Sequence, residues 1–247
     1  MLSAILKQIV VVTDGHSNKG GCPITAAQKA NHEGITVSTI GLLDTGRLGI
    51  EGSKEIRQIA AAGGGIYHLT PMEDLAYTIH TVAVQVTRHA VRQIINQKLR
   101  AGAGTDLCCL PPSSRNVILP VLARMEEESE LHIVLVLDTS GSMLKKRHLL
   151  DQSLRDLIIS LGNRLRPVKL AVIQFPGPSG SASILKPLQS DNLLTSQLLT
   201  KLVYGGLTPT GPAIDLAVAA LAESAVGAAA GHLRGPVKNP GAVEKLI

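Results

Sequence analysis

The sequence predicts a three-layer α/β protein built on a mostly parallel, doubly wound sheet with one antiparallel edge strand. Three observations carry this. Strand-like runs alternate with helical patterns along the chain, which is the signature of a parallel sheet with helices on both faces. The runs are near-continuous in apolar residues (ILKQIVVVT, ITVSTIGL, LHIVLVLD, KLAVIQF), as expected of strands buried on both sides. Aromatic residues make up only 2% of the chain, with no Trp. The core must therefore come from Ile, Val, Leu and Ala.

Taken in order, Ile5 to Thr13 is a buried strand ending at Asp14-Gly15. After the loop Ser17 to Gly21, a helix of good formers runs from Ile24 to Glu33 and closes at Gly34, a C-cap residue. Ile35 to Leu42 is the next strand, and the Gly-rich stretch Gly41 to Gly52, holding Asp44, Arg47 and Glu51, reads as a loop. A short helix, Lys54 to Ala62, stops at Gly63-Gly64-Gly65 before a short strand, Ile66 to Leu69. A long amphipathic helix then runs from near Glu73 to about Leu99, with Leu75, Ile79, Val82, Val86, Ile94 and Ile95 on its buried side. Residues 101 to 114 are a break, and Arg115 to Glu130 reads as a connecting helix whose Glu126-Glu127-Glu128 end faces water.

The stretch Leu131 to Met143, LHIVLVLDTSGSM, is a strand that runs into Asp138-Thr139-Ser140-Gly141-Ser142. A helix follows from about Leu149 to Leu165, then a strand from Lys169 to Phe175 and a turn at Pro176 to Gly180. Ala182 to Leu188 is the expected antiparallel edge strand. Leu193 to Leu202 and Pro212 to Glu223 read as helices separated by the loop GGLTPTG. From Ser224 onward Ala, Gly and Pro dominate without a period, and a frayed or disordered tail is expected.

Composition narrows the function classes. With 45% apolar and 17% charged residues over 247 positions, the chain is globular and holds one large α/β domain or two small ones. The net charge of +5 is modest, and its densest block, Lys145-Lys146-Arg147, reads as a solvated face on a first helical turn. Few aromatics leave no stacking platform for single-stranded nucleic acid. Cys22, Cys108 and Cys109 form neither a disulfide framework nor a zinc spacing. Gln8 and Asp14 break the first apolar run, so no signal peptide is read, and no stretch is long enough to span a bilayer. The expectation is a soluble, cytoplasmic protein without nucleic-acid or membrane partners.

The chemistry concentrates at strand ends. Asp138, Ser140 and Ser142 place one carboxylate and two hydroxyls in a tight turn at the carboxyl edge of a sheet, where ligands bind in open α/β folds. Oxygen-only donors suit a hard divalent cation, although the same residues also make an ordinary turn with Ser142 as a cap. A strand, then D-x-S-x-S, then a helix resembles the first metal-contacting loop of the von Willebrand factor A (VWA) domain, which opens its metal-ion-dependent adhesion site. Thr13-Asp14-Gly15 resembles the family's T-D-G strand end, and Thr208 in G-G-L-T-P its metal-contacting threonine. Here the parts stand in reversed order. Residues 5–99 resemble the family's second half and residues 131–223 its first, with 100–130 as the connection. Small stand-alone VWA proteins of spore-forming bacteria share that order.

The resemblance, over about three quarters of the chain, implies a Rossmann-like VWA domain, circularly permuted, spanning 1–225, with 226–247 as the tail. The alternative is two incomplete halves that complement one another in a swapped dimer; a monomer is expected. It further implies that Asp138, Ser140, Ser142, Thr208 and Asp14 share one Mg²⁺ or Mn²⁺, and that an acidic side chain of a partner protein completes the site, in adhesion rather than catalysis. Two apposed carboxylates would repel and raise one pKa without a cation. Taken singly, Asp14 also fits a turn and Thr208-Pro209 a helix start.

A hydrolase is the rival class, with Ser140 or Ser142 as nucleophile, His16 or His148 as base and Asp138 as orienter. The turn D-T-S-G-S is not the G-x-S-x-G elbow, however. Gly63-Gly64-Gly65 and Gly205-Gly206 fit no phosphate loop, and Cys108-Cys109 lacks the C-x-x-C redox spacing. His68 and His80 read as surface or hydrogen-bonded residues.

Overall fold

The two halves of the chain meet in one sheet. The computed structural model describes residues 5–43, 50–162, 168–189 and 200–231. Its elements are β1 (Ile5–Thr13), α1 (Pro23–His32), β2 (Ile35–Leu42), α2 (Ile50–Ala62), β3 (Gly64–Thr70), α3 (Leu75–Ala103), α4 (Pro112–Glu128), β4 (Glu130–Asp138), α5 (Arg147–Gly162), β5 (Val168–Phe175), β6 (Ser183–Gln189) and α6 (Thr210–Gly231). The strand order is β3-β2-β1-β4-β5-β6. All neighbours are parallel except β6, which lies antiparallel against β5 at the edge. The architecture is the expected three-layer α/β fold with one antiparallel edge pair.

Strand periodicity divides the core in two, because successive side chains point to opposite faces. Val10, Val12, Leu135, Leu137, Leu170 and Val172 pack on one face against Leu75, Ile79, Val82 and Val86 of α3 and Leu150 and Leu154 of α5. Ile9, Val11, Val134, Val136, Ala171 and Ile173 pack on the other. There they meet Ala26, Ala27 and Ala30 of α1, Ile59 of α2, and Ala213, Ile214, Ala217 and Leu221 of α6. The small residues of α1 and α6 let these two helices lie close together. The buried side of α3 is the expected one, with Ile94 and Ile95 partly buried.

From β1 the chain winds outward through β2 to β3, then returns along α3 and α4 to start β4 on the other side of β1. Arg88 on α3 and Glu126 on α4 hold the return path together at 3.5 Å, so the acidic end of α4 does not face water throughout. The β1–β4 boundary is thus the switch point, where the crevice at the carboxyl ends of the strands forms.

Several boundaries differ from expectation. Glu51 and Gly52 belong to α2 rather than to a loop, while Asp44 and Arg47 lie outside the described residues. The long helix begins at Leu75, after a 3₁₀ turn at Met72–Asp74, and continues to Ala103, where Gly104 ends it at φ 64°. Residues 141–146 form a 3₁₀ turn before α5 starts at Arg147. The helix expected at Leu193 to Leu202 falls mostly outside the described residues. The last helix passes Glu223 and runs to Gly231, because its Ala-rich sequence is intrinsically helix-favouring even without a clear period. Residues 232–247 of the expected tail are outside the described residues.

Gly64 and Gly65 open β3 instead of merely stopping α2. A β-carbon at Gly65 would collide with the Val37 carbonyl oxygen of β2, so this strand approaches its neighbour only without a side chain. Gly65→Ala is expected to lower stability by roughly 1–3 kcal/mol, the usual range for overpacking. An unchanged urea midpoint for that variant would show that β3 can shift to make room.

Candidate functional site

The candidate site is built on two adjacent strand ends. In the β1–β4 register Val12 lies opposite Leu137, so Thr13 and Asp138 end their strands side by side. Asp138 is fully buried. Its Oδ2 accepts a hydrogen bond from Thr13 Oγ1 at 2.6 Å, and its Oδ1 accepts one from the Ser140 backbone N–H at 2.9 Å. The second bond folds the chain back over the carboxylate and starts the 3₁₀ turn. Ser140 Oγ and Ser142 Oγ then lie 3.1 Å apart, and Ser142 Oγ donates to Asp14 Oδ1 at 2.7 Å. Lys146 Nζ donates to Asp14 Oδ2 at 2.5 Å. Four of the five residues singled out in the sequence thus form one hydrogen-bonded chain.

The fifth, Thr208, sits on a neighbouring loop fastened to the same turn. Gly205 N–H donates to the Thr139 carbonyl at 2.8 Å, and Gly141 N–H donates to the Gly206 carbonyl at 3.2 Å. Gly205 and Gly206 have φ of 128° and 81°, which a β-carbon disfavours. Thr208 itself is buried. Its N–H donates to Asn18 Oδ1 at 2.7 Å, and its carbonyl accepts from Asn18 N–H at 3.2 Å and Ser17 Oγ at 3.4 Å. None of these described bonds reaches the other four residues. The loop after β1 and the loop before α6 therefore close the rim together.

Burial dominates the electrostatics of Asp138. Desolvation pushes its carboxyl up to about 6, the hydrogen bonds from Thr13 and Ser140 pull against that rise, and the Asp14 charge adds a smaller push upward. Asp14 is neutralised directly, with its side chain 1% exposed and paired with a Lys146 side chain that is 14% exposed. Lys146 therefore corrects the reading of Lys145-Lys146-Arg147 as a solvated face, since only Lys145 and Arg147 are exposed. Sequence reasoning missed Lys146, and it missed Thr13 as the partner of Asp138. The T-D-G tripeptide was the one signal for Thr13.

The histidines a hydrolase would use lie apart from the serines. His16 Nδ1 pairs with Glu55, whose other oxygen accepts the Ser17 N–H at 3.0 Å. This pair lines a separate cavity of about 790 Å³ with Lys19, Cys22 and Lys54. His148 is exposed and lies by Asp151, Gln152 and Arg155. No described hydrogen bond joins either histidine to Ser140 or Ser142. Cys108 and Cys109 are exposed free thiols, and His68 meets Gln85 at 3.3 Å on the surface.

Fold and site together define an open, three-layer α/β protein with a carboxylate–hydroxyl cluster at its switch point. No family model matches the sequence. The chain belongs to the family of YabS of Bacillus subtilis, an uncharacterized protein, with 33% identity over 211 residues that cover 85% of this chain and 86% of YabS. An uncharacterized protein from Alicyclobacillus acidocaldarius, known as a crystal structure, shares 37% identity and superposes with a TM-score of 0.83. That match covers 91% of this chain and 97% of the other. Proximal thread matrix protein 1 of the mussel byssus aligns with 18% identity and a TM-score of only 0.26, too slight a likeness to bear on this fold or function. Among the described residues, no helix is long and apolar enough to cross a membrane.

The Asp138 environment has a measurable consequence for the protein in EDTA. The folded carboxyl titrates at about 6 and the ordinary value is 3.8, so between these the folded state holds its proton more tightly than the unfolded chain. Stability should therefore fall as pH rises through this window, by about 3 kcal/mol at most. Asp138→Asn lacks this titration. Urea denaturation should show the variant gaining on the wild type between pH 4 and 7, whereas a constant difference would contradict the desolvated carboxyl.

Proposed function

We propose that this protein is a VWA-type binding module with its two half-domains in reversed order. In this reading Asp138, Ser140, Ser142, Thr208 and Asp14 hold a Mg²⁺ or Mn²⁺ ion that captures an acidic group of a partner protein. The observation that carries the reading is the convergence of Asp14 with Ser142, 128 positions away, and through it with Ser140 and Asp138, in one chain of hydrogen bonds.

The donor set fits such an ion. Every donor is a carboxylate or hydroxyl oxygen, the chemistry that hard divalent cations select. Among the described residues no group of three or more His, Cys, Asp or Glu side chains is suited to a metal, so softer or zinc-like chemistry has no comparable site there. When bound, the ion would supply a positive centre for a partner carboxylate. The chain's own contribution is to hold the two acids at fixed strand ends and the hydroxyls in a turn pinned by the Thr139–Gly205 and Gly141–Gly206 bonds.

A protein partner is favoured by what surrounds the cluster. Leu144 lies two residues after Ser142, Leu207 precedes Thr208, and each is about half exposed. Apolar side chains at the rim of a charged centre suit a protein surface with an acidic group and apolar flanks. The reading is binding without turnover: no described hydrogen bond joins His16 or His148 to the serine hydroxyls, and D-T-S-G-S is not a nucleophile elbow. The same reading takes the protein to be cytoplasmic, and it favours a monomer over a swapped dimer, since β1 and β4 complete one sheet within a single chain.

Calorimetry with Mn²⁺ is the test. Asp14→Ala and Asp138→Ala each remove a charged ligand and should weaken binding at least about tenfold. Thr208→Ala removes a neutral one and should cost less. Equal Mn²⁺ affinity in wild type, Asp14→Ala and Asp138→Ala would sink the metal site. Metal-dependent ester or peptide hydrolysis lost on Ser140→Ala would replace it with the hydrolase reading.

A further inference from the structure

The Lys146–Asp14 contact is unusual in its setting. Of three consecutive basic residues, Lys145 and Arg147 are exposed, while Lys146 folds back and meets an aspartate whose side chain is 1% exposed. The contact closes the 3₁₀ turn Gly141–Lys146, so the turn that supplies Ser142 also supplies the ammonium. Asp14 then has both oxygens occupied, Oδ1 by Ser142 at 2.7 Å and Oδ2 by Lys146 at 2.5 Å. Asp138 likewise has both oxygens engaged, Oδ2 by Thr13 and Oδ1 by the Ser140 N–H. The cluster is satisfied without any external cation.

We infer that Lys146 is a tethered cation that occupies Asp14 in the metal-free protein and must be displaced before a divalent ion can bind. This rests on the metal-binding reading above. An ammonium on a carboxylate oxygen and a divalent ion on the same group repel each other strongly at such short range. With Lys146 in place, Asp14 adds no net negative charge, and only Asp138 offers one. Lys146 thereby sets the concentration at which metal binds and keeps a buried aspartate from being left unpaired, which is costly. Because the ammonium sits at the end of the turn that carries Ser142, metal binding and rearrangement of that turn are one event.

Mn²⁺ titration calorimetry of wild type, Lys146→Met and Lys146→Arg tests this, with thermal unfolding in EDTA and in Mn²⁺ as a second readout. Lys146→Met should bind Mn²⁺ about tenfold more tightly or better, while Lys146→Arg, which keeps the charge, should stay near wild type. In EDTA Lys146→Met should melt below wild type, and Mn²⁺ should raise its melting temperature by more than it raises that of wild type. A purely structural lysine would lower the melting temperature without strengthening metal binding. If Lys146→Met does not fold, Lys146→Gln keeps a donor for Asp14 without the charge and is read by the same criteria. Binding by the variant but not by wild type is the strongest support. Measurable binding by wild type with unchanged or weaker binding by the uncharged variant overturns the tethered cation and leaves the metal site standing. No Mn²⁺ binding by either protein overturns the metal site and the tethered cation together.

Discussion

The parallel pairing of β1 with β4 is the contact on which the site depends. These strands lie in different halves of the sequence, and Thr13 and Asp138, which end them, are 125 positions apart. Closing so long a loop costs little more entropy than closing a short one, because the cost grows only with the logarithm of length. The buried apolar residues of both strands then fix the register, since a slip by one residue would turn every side chain to the wrong face. Register places Val12 against Leu137 and so brings Thr13 within 2.6 Å of the Asp138 carboxylate. A hydrophobic pattern spread along two strands thus positions the polar atoms at their ends.

That pattern is also why the strands were legible in the sequence. Ile5–Thr13 and Ile35–Leu42 match the structure at both ends, because a continuous apolar run bounded by Asp-Gly or Gly leaves little latitude. The antiparallel edge strand was legible for a similar reason, as a half-buried run after a Pro-Gly turn. Helix ends were harder to place. Nothing in Gly141–Lys146 separates a 3₁₀ turn from the first turn of α5, and the Ala-rich end of α6 has helix propensity without periodicity. Of the candidate site, the acids and the D-x-S-x-S turn were legible because each stands at the end of a strong strand. Lys146 was not. Three basic residues in a row look alike in sequence, and which of them folds inward is decided by the rotation of a 3₁₀ turn.

The lysine changes what supports a metal at this site. From the sequence, two apposed carboxylates called for a cation to relieve their repulsion. In the fold that need is already met, by Lys146 at Asp14 and by the hydrogen bonds and raised pKa at Asp138. Unbalanced charge is therefore not the argument for a metal. The argument is the gathering of hydroxyls: Ser140 and Ser142 lie beside two acids, on a turn that backbone hydrogen bonds join to the loop bearing Thr208. A purely structural turn needs no such meeting of loops, for one cap and one carboxylate suffice to close a strand into a helix.

The two ways of neutralising Asp14 differ in what they do to the rest of the protein. A lysine held from within the chain satisfies the aspartate and pins the 3₁₀ turn to β1, so the closed arrangement is a stable end state. An external ion would bind Asp14 from outside, compete for the same oxygen and release the lysine from it. The turn bearing Ser142 and Leu144 is bonded through Gly141 to the loop bearing Leu207 and Thr208. A change at Asp14 therefore reaches both apolar residues of the rim through a short run of contacts, all within the described structure. If the proposed metal site holds, the residue that pairs with Asp14 in the fold would also stand between metal binding and the apolar rim.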